Sequence, residues 1–540
     1  MYLQGQTSLR ISTNDTLTHI CFENTLVDTV LYLVIPNQQE DYKLEYENPN
    51  DSQHLHLQTE IIQFRDCKGL KIKCKGNCLQ KNVGVLLQHR FPSQHPLFSS
   101  VFSPAYKQVF SNLQTLDFQI DSSQSMLIIS HNLFVSTLSE FVKEKTQNGI
   151  NIHLLVAESN SSIEDIQDLI TETYHAFKPD YVLLVGDDEH IPSYRMGEGL
   201  SDAHYTLIDG NDFFPEMIIG RISVQSVNDL QVQLKKISQR EKTYFSKRAL
   251  LIASNHYSSQ TGIYDWEHMK VVYNILQNKQ FSSIFELYED HPNNEENIPP
   301  SEKEILHRIN QGVSIVNYLG YGSYNTWQSG NFNHNSIEKI NYTYEYPIVV
   351  SAACLNGHFS ERECFAEKWM NTSFENQACG ASACLMFSSL VDWDAAALIL
   401  QSFNYFLPPT SDNASLGSVY LQTYIKTIVD LERSKDILTW IVFGDPSMSI
   451  YPDKTTGIKT TGTYSLTIYP NPTTNKCFIQ SNQPIEEIRI FDMYGKQIKY
   501  MQTKKREIKC NFSSFSDGIY FIKVKLSNGE SLTHKIVKNR

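Results

Sequence analysis

The sequence has no apolar run approaching the ~20 residues needed to cross a bilayer. Its first residues, MYLQGQTSLRIS, hold no apolar core of the signal-peptide type, so no secretory signal is visible at this start. Basic residues are in deficit: 46 Lys and Arg stand against 59 Asp and Glu, a formal net charge of -13. That balance argues against a nucleic-acid binder, which must neutralise phosphates, and against docking on an anionic membrane surface. Ten cysteines are present, but no paired CxxC knuckles, so a structural zinc site is not expected. Cys74 and Cys78 could form a disulfide or half a metal site; the plainer reading is free, partly buried thiols.

What is present is ordinary globular material, 41% hydrophobic and 19% charged, in a 540-residue chain too long for one core. About two to four domains are expected. Residues 1–115 read as an all-β domain of short runs such as TVLYLVIP and GLKIKCK, with no helical periodicity. His54 and His56 alternate onto one strand face there, and without a third ligand they read as exposed polar residues. Residues 120–454 alternate strands (MLIIS, INIHLLVA, YVLLVGD, RALLIAS, VSIVNYLG, PIVVSAAC) with amphipathic helices. Ser162 is a plausible N-cap for one of these helices. Near-continuous apolar strands between helices predict an α/β fold, a mostly parallel sheet covered on both faces. After the Thr/Gly-rich joint KTTGIKTTGT, residues 463–540 return to short alternating strands and predict a small β-sandwich.

Reactive groups gather at the carboxyl ends of parallel strands. Three such ends carry unusual residues: LLIAS runs into Asn255 and His256, IVNYLG into Tyr321, Gly322 and Ser323, and IVVSAA into Cys354, followed by Asn356 and Gly357. A cysteine at a strand end before Asn and Gly can face substrate; an inert buried thiol is the other reading. The segments YVLLVGDDEHIPSY, SDAHYTLIDGNDFFPEMIIGRIS, VNYLGYGSYNTW, SAACLNGHFSERECFAEKW and TWIVFGDPSMSIY resemble, in this order, the gingipain family of cysteine peptidases. The resemblance spans about residues 120–454 and implies a caspase-like, three-layer fold.

Carried over residue by residue, the resemblance makes Cys354 in AACLNG the nucleophile. The family's base is the histidine of a G-H-G-S motif, but here that motif reads Gly320, Tyr321, Gly322, Ser323. His256 falls where the family has a glutamate that orients the histidine. Asp265 falls where basic-residue-specific members place the acid at the bottom of the S1 pocket; an ordinary helix-first-turn acid is its other reading. Gly322 and Cys354 would supply oxyanion-binding N–H groups. Trp393 could wall the pocket or simply pack. A free thiol with pKa ~8.5 is only a few per cent thiolate at neutral pH, and an imidazolium raises that fraction. Tyrosine, with pKa ~10, does neither that nor general-base work near neutrality. The resemblance therefore implies either a degenerate peptidase, an endopeptidase of basic-residue preference with His256 as a displaced base, or a non-catalytic surface binding module. His358 is a further imidazole near Cys354, read as a solvated loop residue.

Elsewhere, Asp209, Asn211 and Asp212 offer oxygens that could hold calcium, although an Asx-rich turn explains them equally. No cofactor is required by the reading. Asp445 in FGDP matches a family motif of structural character. The segments YPNPTTNKCFI, IRIFDMYGKQI, FSDGIYFIKV and HKIVK resemble the C-terminal sorting domain of the type IX secretion system. That resemblance implies a secreted or cell-surface protein, outer-membrane attached, with the secretion machinery as partner. Since such export begins with a signal peptide, it implies that the natural start lies upstream of Met1.

Overall fold

The computed structural model describes residues 8–539 except 14–16, 24–25, 36–41, 79–81, 90–96, 114–117, 243–245, 291–297, 342–344, 410–413, 452–465, 470–472, 482, 493–495 and 528–530. The Thr/Gly-rich joint and parts of the YPNP, YGK and SNGE segments lie outside the described residues. The chain forms two compact units, Met1–Lys454 and Thr455–Arg540.

Ten strands build the central sheet of the first unit: β1 (Gln124–His131), β2 (Ile150–Ala157), β3 (Tyr181–Val185), β4 (Ile218–Ile222), β5 (Arg248–Ala253), β6 (Ser283–Tyr288), β7 (Ile315–Leu319), β8 (Ile348–Ala352), β9 (Ala383–Phe387) and β10 (Trp440–Phe443). Their order is β2-β1-β3-β4-β10-β9-β8-β7-β5-β6. Every neighbouring pair is parallel except β9 with β10. That single antiparallel pair reverses the sense of the sheet, so the carboxyl ends of β5, β7, β8 and β9 share one edge.

Strands β7, β8 and β9 are buried along their whole length. Alternation assigns Ile315, Leu319, Ile348, Val350 and Ala352 to one core and Val316, Tyr318 and Val349 to the other. Helices Asp265–Asn278 and Trp393–Phe406 cover the first face through Met269, Val272, Ala396 and Phe403; helix Phe365–Asn371 covers the second. This is the three-layer, mostly parallel arrangement that strand-helix alternation predicts. Ser162 caps helix Ile163–Phe177 in a reciprocal capping box with Asp165.

The β region before residue 115 forms two small antiparallel sheets around Ile20, Phe22, Leu33, Leu55, Ile72 and Val85. It also contains a helix, Ser103–Val109, that corrects the expectation of strands alone. Seven residues are two turns, too few for a 3.6-residue period to stand out, and a proline in the first turn starts the helix. Tyr106 from this helix meets Phe64 and Phe98 edge-to-face and Phe102 at a tilt, and these rings belong to the same core as β1 and β3. Arg65 fastens the two regions. Its buried guanidinium donates to the carbonyls of Pro179, Lys178 and Glu216 and pairs with Asp180 at 3.1 Å. The second unit packs a three-stranded sheet and a four-stranded sheet around Ile479, Ile488, Ile490, Phe512, Ile522 and Val524.

Replacing Arg65 leaves Asp180 buried beside unsatisfied carbonyls. Arg65→Ala is expected to destabilise the first unit by about 3–5 kcal/mol in urea unfolding. Arg65→Lys should recover little, because one ammonium cannot reproduce a planar fork with several fixed donors.

Candidate active site

Register places the site. Leu319 of β7 pairs with Ala352 of β8, so Tyr321 and Cys354, each two residues further on, leave the sheet side by side. Ala253 of β5 pairs with Leu319, which brings His256 to the same edge. The turn after β8 is tight: Leu355 has φ +62°, its N–H bonds the carbonyl of Ser389, and Gly357 N–H bonds the carbonyl of Phe387. Cys354 is thereby held half-exposed at the sheet edge.

Asn356 joins this turn to the loop after β7. Its Oδ1 accepts from Trp327 Nε1 at 2.9 Å and Ser351 Oγ at 2.8 Å, while its Nδ2 donates to the carbonyls of Ser323 at 2.6 Å and Thr326 at 3.1 Å. Gly322 passes so close beneath that a Cβ would lie 2.7 Å from Ala353 Cβ and 3.0 Å from the Cys354 carbonyl oxygen. Only glycine fits there. Tyr318 supports the same loop, donating its hydroxyl to the Tyr321 carbonyl at 2.7 Å.

Among the described residues no imidazole is hydrogen-bonded to Cys354; its thiol faces the carbonyl of Val391 at 4.0 Å. The nearby imidazole is engaged elsewhere. His256 Nδ1 lies 3.2 Å from the Tyr321 hydroxyl, and its ring packs on Trp393 with centroids 4.0 Å apart. Tyr321 meets Trp393 edge-on at 4.5 Å. The small cavity beside the thiol is walled by Leu319, Gly320, Ala353, Val391, Trp393 and Ala396.

Asp265 lies under this aromatic group. It opens the Asp265–Asn278 helix, and Trp393 opens the neighbouring Trp393–Phe406 helix, so two helix starts converge on one spot. The carboxylate is 1% exposed. Trp393 Nε1 donates to its Oδ1 at 2.6 Å, and the Ser254 hydroxyl donates to Oδ2. Burial pushes Asp265 up to about 7, against the opposing pull of the Ser254 and Trp393 donors.

The remaining candidates have other partners. His358 Nδ1 lies 2.8 Å from the Ser388 carbonyl oxygen and its ring meets Tyr324 edge-on. Asp212 accepts from the backbone N–H groups of Gln63 and Phe214, at 2.9 Å each, and so ties the two regions of the first unit. Asp445 is buried, pairs with Lys145 and caps Ser447. His54 precedes its strand and, like His56, is exposed. Cys74 and Cys78 are both buried, with no disulfide between them. Sequence reading missed the supporting roles of Ser254, Tyr318 and Trp327, which carry no local signature.

Peptidase family C25 matches residues 119–451. The chain belongs to this family of cysteine peptidases. Gingipain R2 of Porphyromonas gingivalis is 28% identical over 371 residues, 65% of this chain and 49% of its own length. Lys-gingipain W83 of the same species is 26% identical over 292 residues, 50% of this chain and 16% of its own. The chain thus spans about half of the first relative and much less of the second. The crystal structure of the Arg-specific cysteine proteinase gingipain R superposes with a TM-score of 0.59 at 22% identity, covering 78% of this chain and 99% of that one. The caspase-like fold follows. Residues 467–539 match a secretion system C-terminal sorting domain, which marks a secreted or cell-surface protein.

The raised Asp265 carboxyl has a consequence for stability. Its folded value, about 7, exceeds its ordinary value of 3.8. Between those pH values the unfolded chain loses this proton and the folded chain keeps it, so stability falls as pH rises. Asp265→Asn keeps the shape without the ionisation. The variant should therefore gain on wild type by on the order of 2–4 kcal/mol between pH 4 and pH 8, read from denaturant midpoints at each pH.

Proposed function

We propose that this chain is an exported, degenerate member of family C25 whose site retains a peptide-binding cleft without the Cys–His chemistry of a peptidase. One observation carries the reading: Tyr321, whose hydroxyl is hydrogen-bonded to His256, leaves the sheet edge beside Cys354, and among the described residues no imidazole is hydrogen-bonded to the Cys354 thiol. A thiol without a neighbouring imidazole lacks both its route to thiolate and its general base. The ligand class is a peptide with a basic residue, held by Asp265 through a charge-assisted pair once Trp393 turns aside. What supports this choice is the buried acid held by Trp393, a residue of the cavity wall, and the family relation to an Arg-specific proteinase. The same chain as an active endopeptidase, with Cys354 attacking and His256 as displaced base, is the second reading; the His256 ring, one tyrosine away from the cysteine loop, favours it. The sorting domain makes the type IX secretion machinery its partner in export and the outer face of the cell its destination.

Hydrolysis of a fluorogenic peptide with a basic P1 residue tests the catalytic claim on wild type, Tyr321→His, Tyr321→His with His256→Glu, and Cys354→Ala. Wild type is expected to match Cys354→Ala. General-base assistance contributes typically 10²–10⁴-fold, about 3–5 kcal/mol, so the double variant should rise by a comparable factor. The single variant places two imidazoles side by side, and they cannot both be cationic cheaply. Robust wild-type turnover that Cys354→Ala and His256→Ala both abolish would instead establish the displaced base. Removing residues 463–540 from a chain supplied with a signal peptide should retain it in the periplasm, read by cell fractionation; surface delivery of the truncated chain would refute the sorting role.

A further inference from the structure

Two cysteines of the second unit face each other across an antiparallel ladder. Cys477 on strand Lys476–Ser481 is the register partner of Cys510 on strand Glu507–Asn511. The Phe512 N–H bonds the Asn475 carbonyl, and the Ser481 N–H bonds the Arg506 carbonyl. Counting in steps of two from either bond puts Cys477 and Cys510 in a hydrogen-bonded pair, where Cα atoms lie about 5.5 Å apart. That Cα separation lies within the range found across disulfides. Directly opposed residues project from the same face of a sheet, and both side chains enter the core of this unit, fully buried among Ile479, Ile508, Phe512 and Tyr520. Each thiol perturbs the other, raising Cys477 and lowering Cys510, as expected of neighbouring thiols on one sheet face. No other pair among the ten cysteines combines direct register with mutual burial in the described strands.

We infer that Cys477 and Cys510 are a site of oxidative modification, closing into a cross-strand disulfide when the chain leaves the cytoplasm. The inference rests on the export reading, because thiols stay reduced inside the cell and pair outside it. A dithiol–disulfide exchange partner such as glutathione disulfide suffices as oxidant. The thiolate of one cysteine attacks a glutathione sulfur and expels glutathione thiolate. The second cysteine, as thiolate, then attacks the protein-side sulfur of the mixed disulfide and expels another. Two protein thiols lose two protons and two electrons, and one glutathione disulfide becomes two glutathiones. Since both sulfurs are buried, the folded reduced unit is closed to oxidant, and the bond forms as the chain folds. The staple joins two of the three strands of its sheet and so stiffens the unit that the secretion machinery handles.

Full-length protein is unfolded, refolded in a glutathione redox buffer, alkylated without reduction, and digested for mass spectrometry. The expected product links the Cys477 and Cys510 peptides, with a mass two hydrogens below their sum. Oxidation should raise the thermal midpoint of this unit by roughly 10 °C, given the loop it closes. Cys477→Ser and, separately, Cys510→Ala should each leave the remaining cysteine alkylated and remove that rise. Refolded protein of native circular dichroism in which both cysteines are alkylated would overturn the proposal. Chain recovered from the cell surface is analysed in parallel: linked peptides there support the inference, and free thiols on surface-delivered chain overturn it. A chain that never reaches the surface counts against the export reading alone, and the refolding result then decides whether the pair closes.

Discussion

The side-chain amide of Asn356 ties the loop after β7 to the turn after β8, and the geometry around Cys354 depends on it. Its four hydrogen bonds reach two backbone carbonyls on one loop, an indole from the same loop and a hydroxyl on the strand it leaves. A fully buried amide with every donor and acceptor used is costly to disturb, because any lost partner leaves a polar group desolvated. The amide therefore fixes where Cys354 and the residue at position 321 stand relative to one another, whatever that residue is. Gly322, which admits no side chain between the loops, makes the same demand sterically.

This frame lets the site hold its shape independently of the side chain at position 321. The tyrosine at 321 fits because its ring projects to solvent, 49% exposed, and finds partners in His256 and Trp393 rather than in the loop beneath. Below it, the indole N–H of Trp393 rests on Asp265, so the buried acid is not left bare. The result is a continuous stack from Tyr321 through His256 and Trp393 to Asp265, all of it fed by strand ends and helix starts at one sheet edge. The electrostatic tension lies at the bottom of the stack, where desolvation of Asp265 outweighs the two donors that stabilise its charge.

Much of this was written locally. Strand-helix alternation with unbroken apolar strands specifies a parallel sheet, since a strand covered on both faces cannot alternate polar and apolar. The capping box at Ser162 and Asp165, the cysteine turn before Asn356 and Gly357, and the tyrosine between Gly320 and Gly322 are each read within a few residues. The helix Ser103–Val109 was not legible, because two turns show no period and its stability comes from the aromatic rings it meets. Neither was the union of the β region with the α/β region, which rests on Arg65 reaching carbonyls more than a hundred positions away.

By itself the sequence determined the fold class, the cysteine at a strand end, the tyrosine between Gly320 and Gly322 and the sorting tail, because each depends on residue type and short-range spacing. Tertiary structure alone decided that Trp393 closes over Asp265 from 128 positions away, that His256 is bonded to Tyr321 and not to Cys354, and that Cys477 opposes Cys510. Such pairings depend on sheet order and register, which bring together side chains whose separation along the chain carries no local signal.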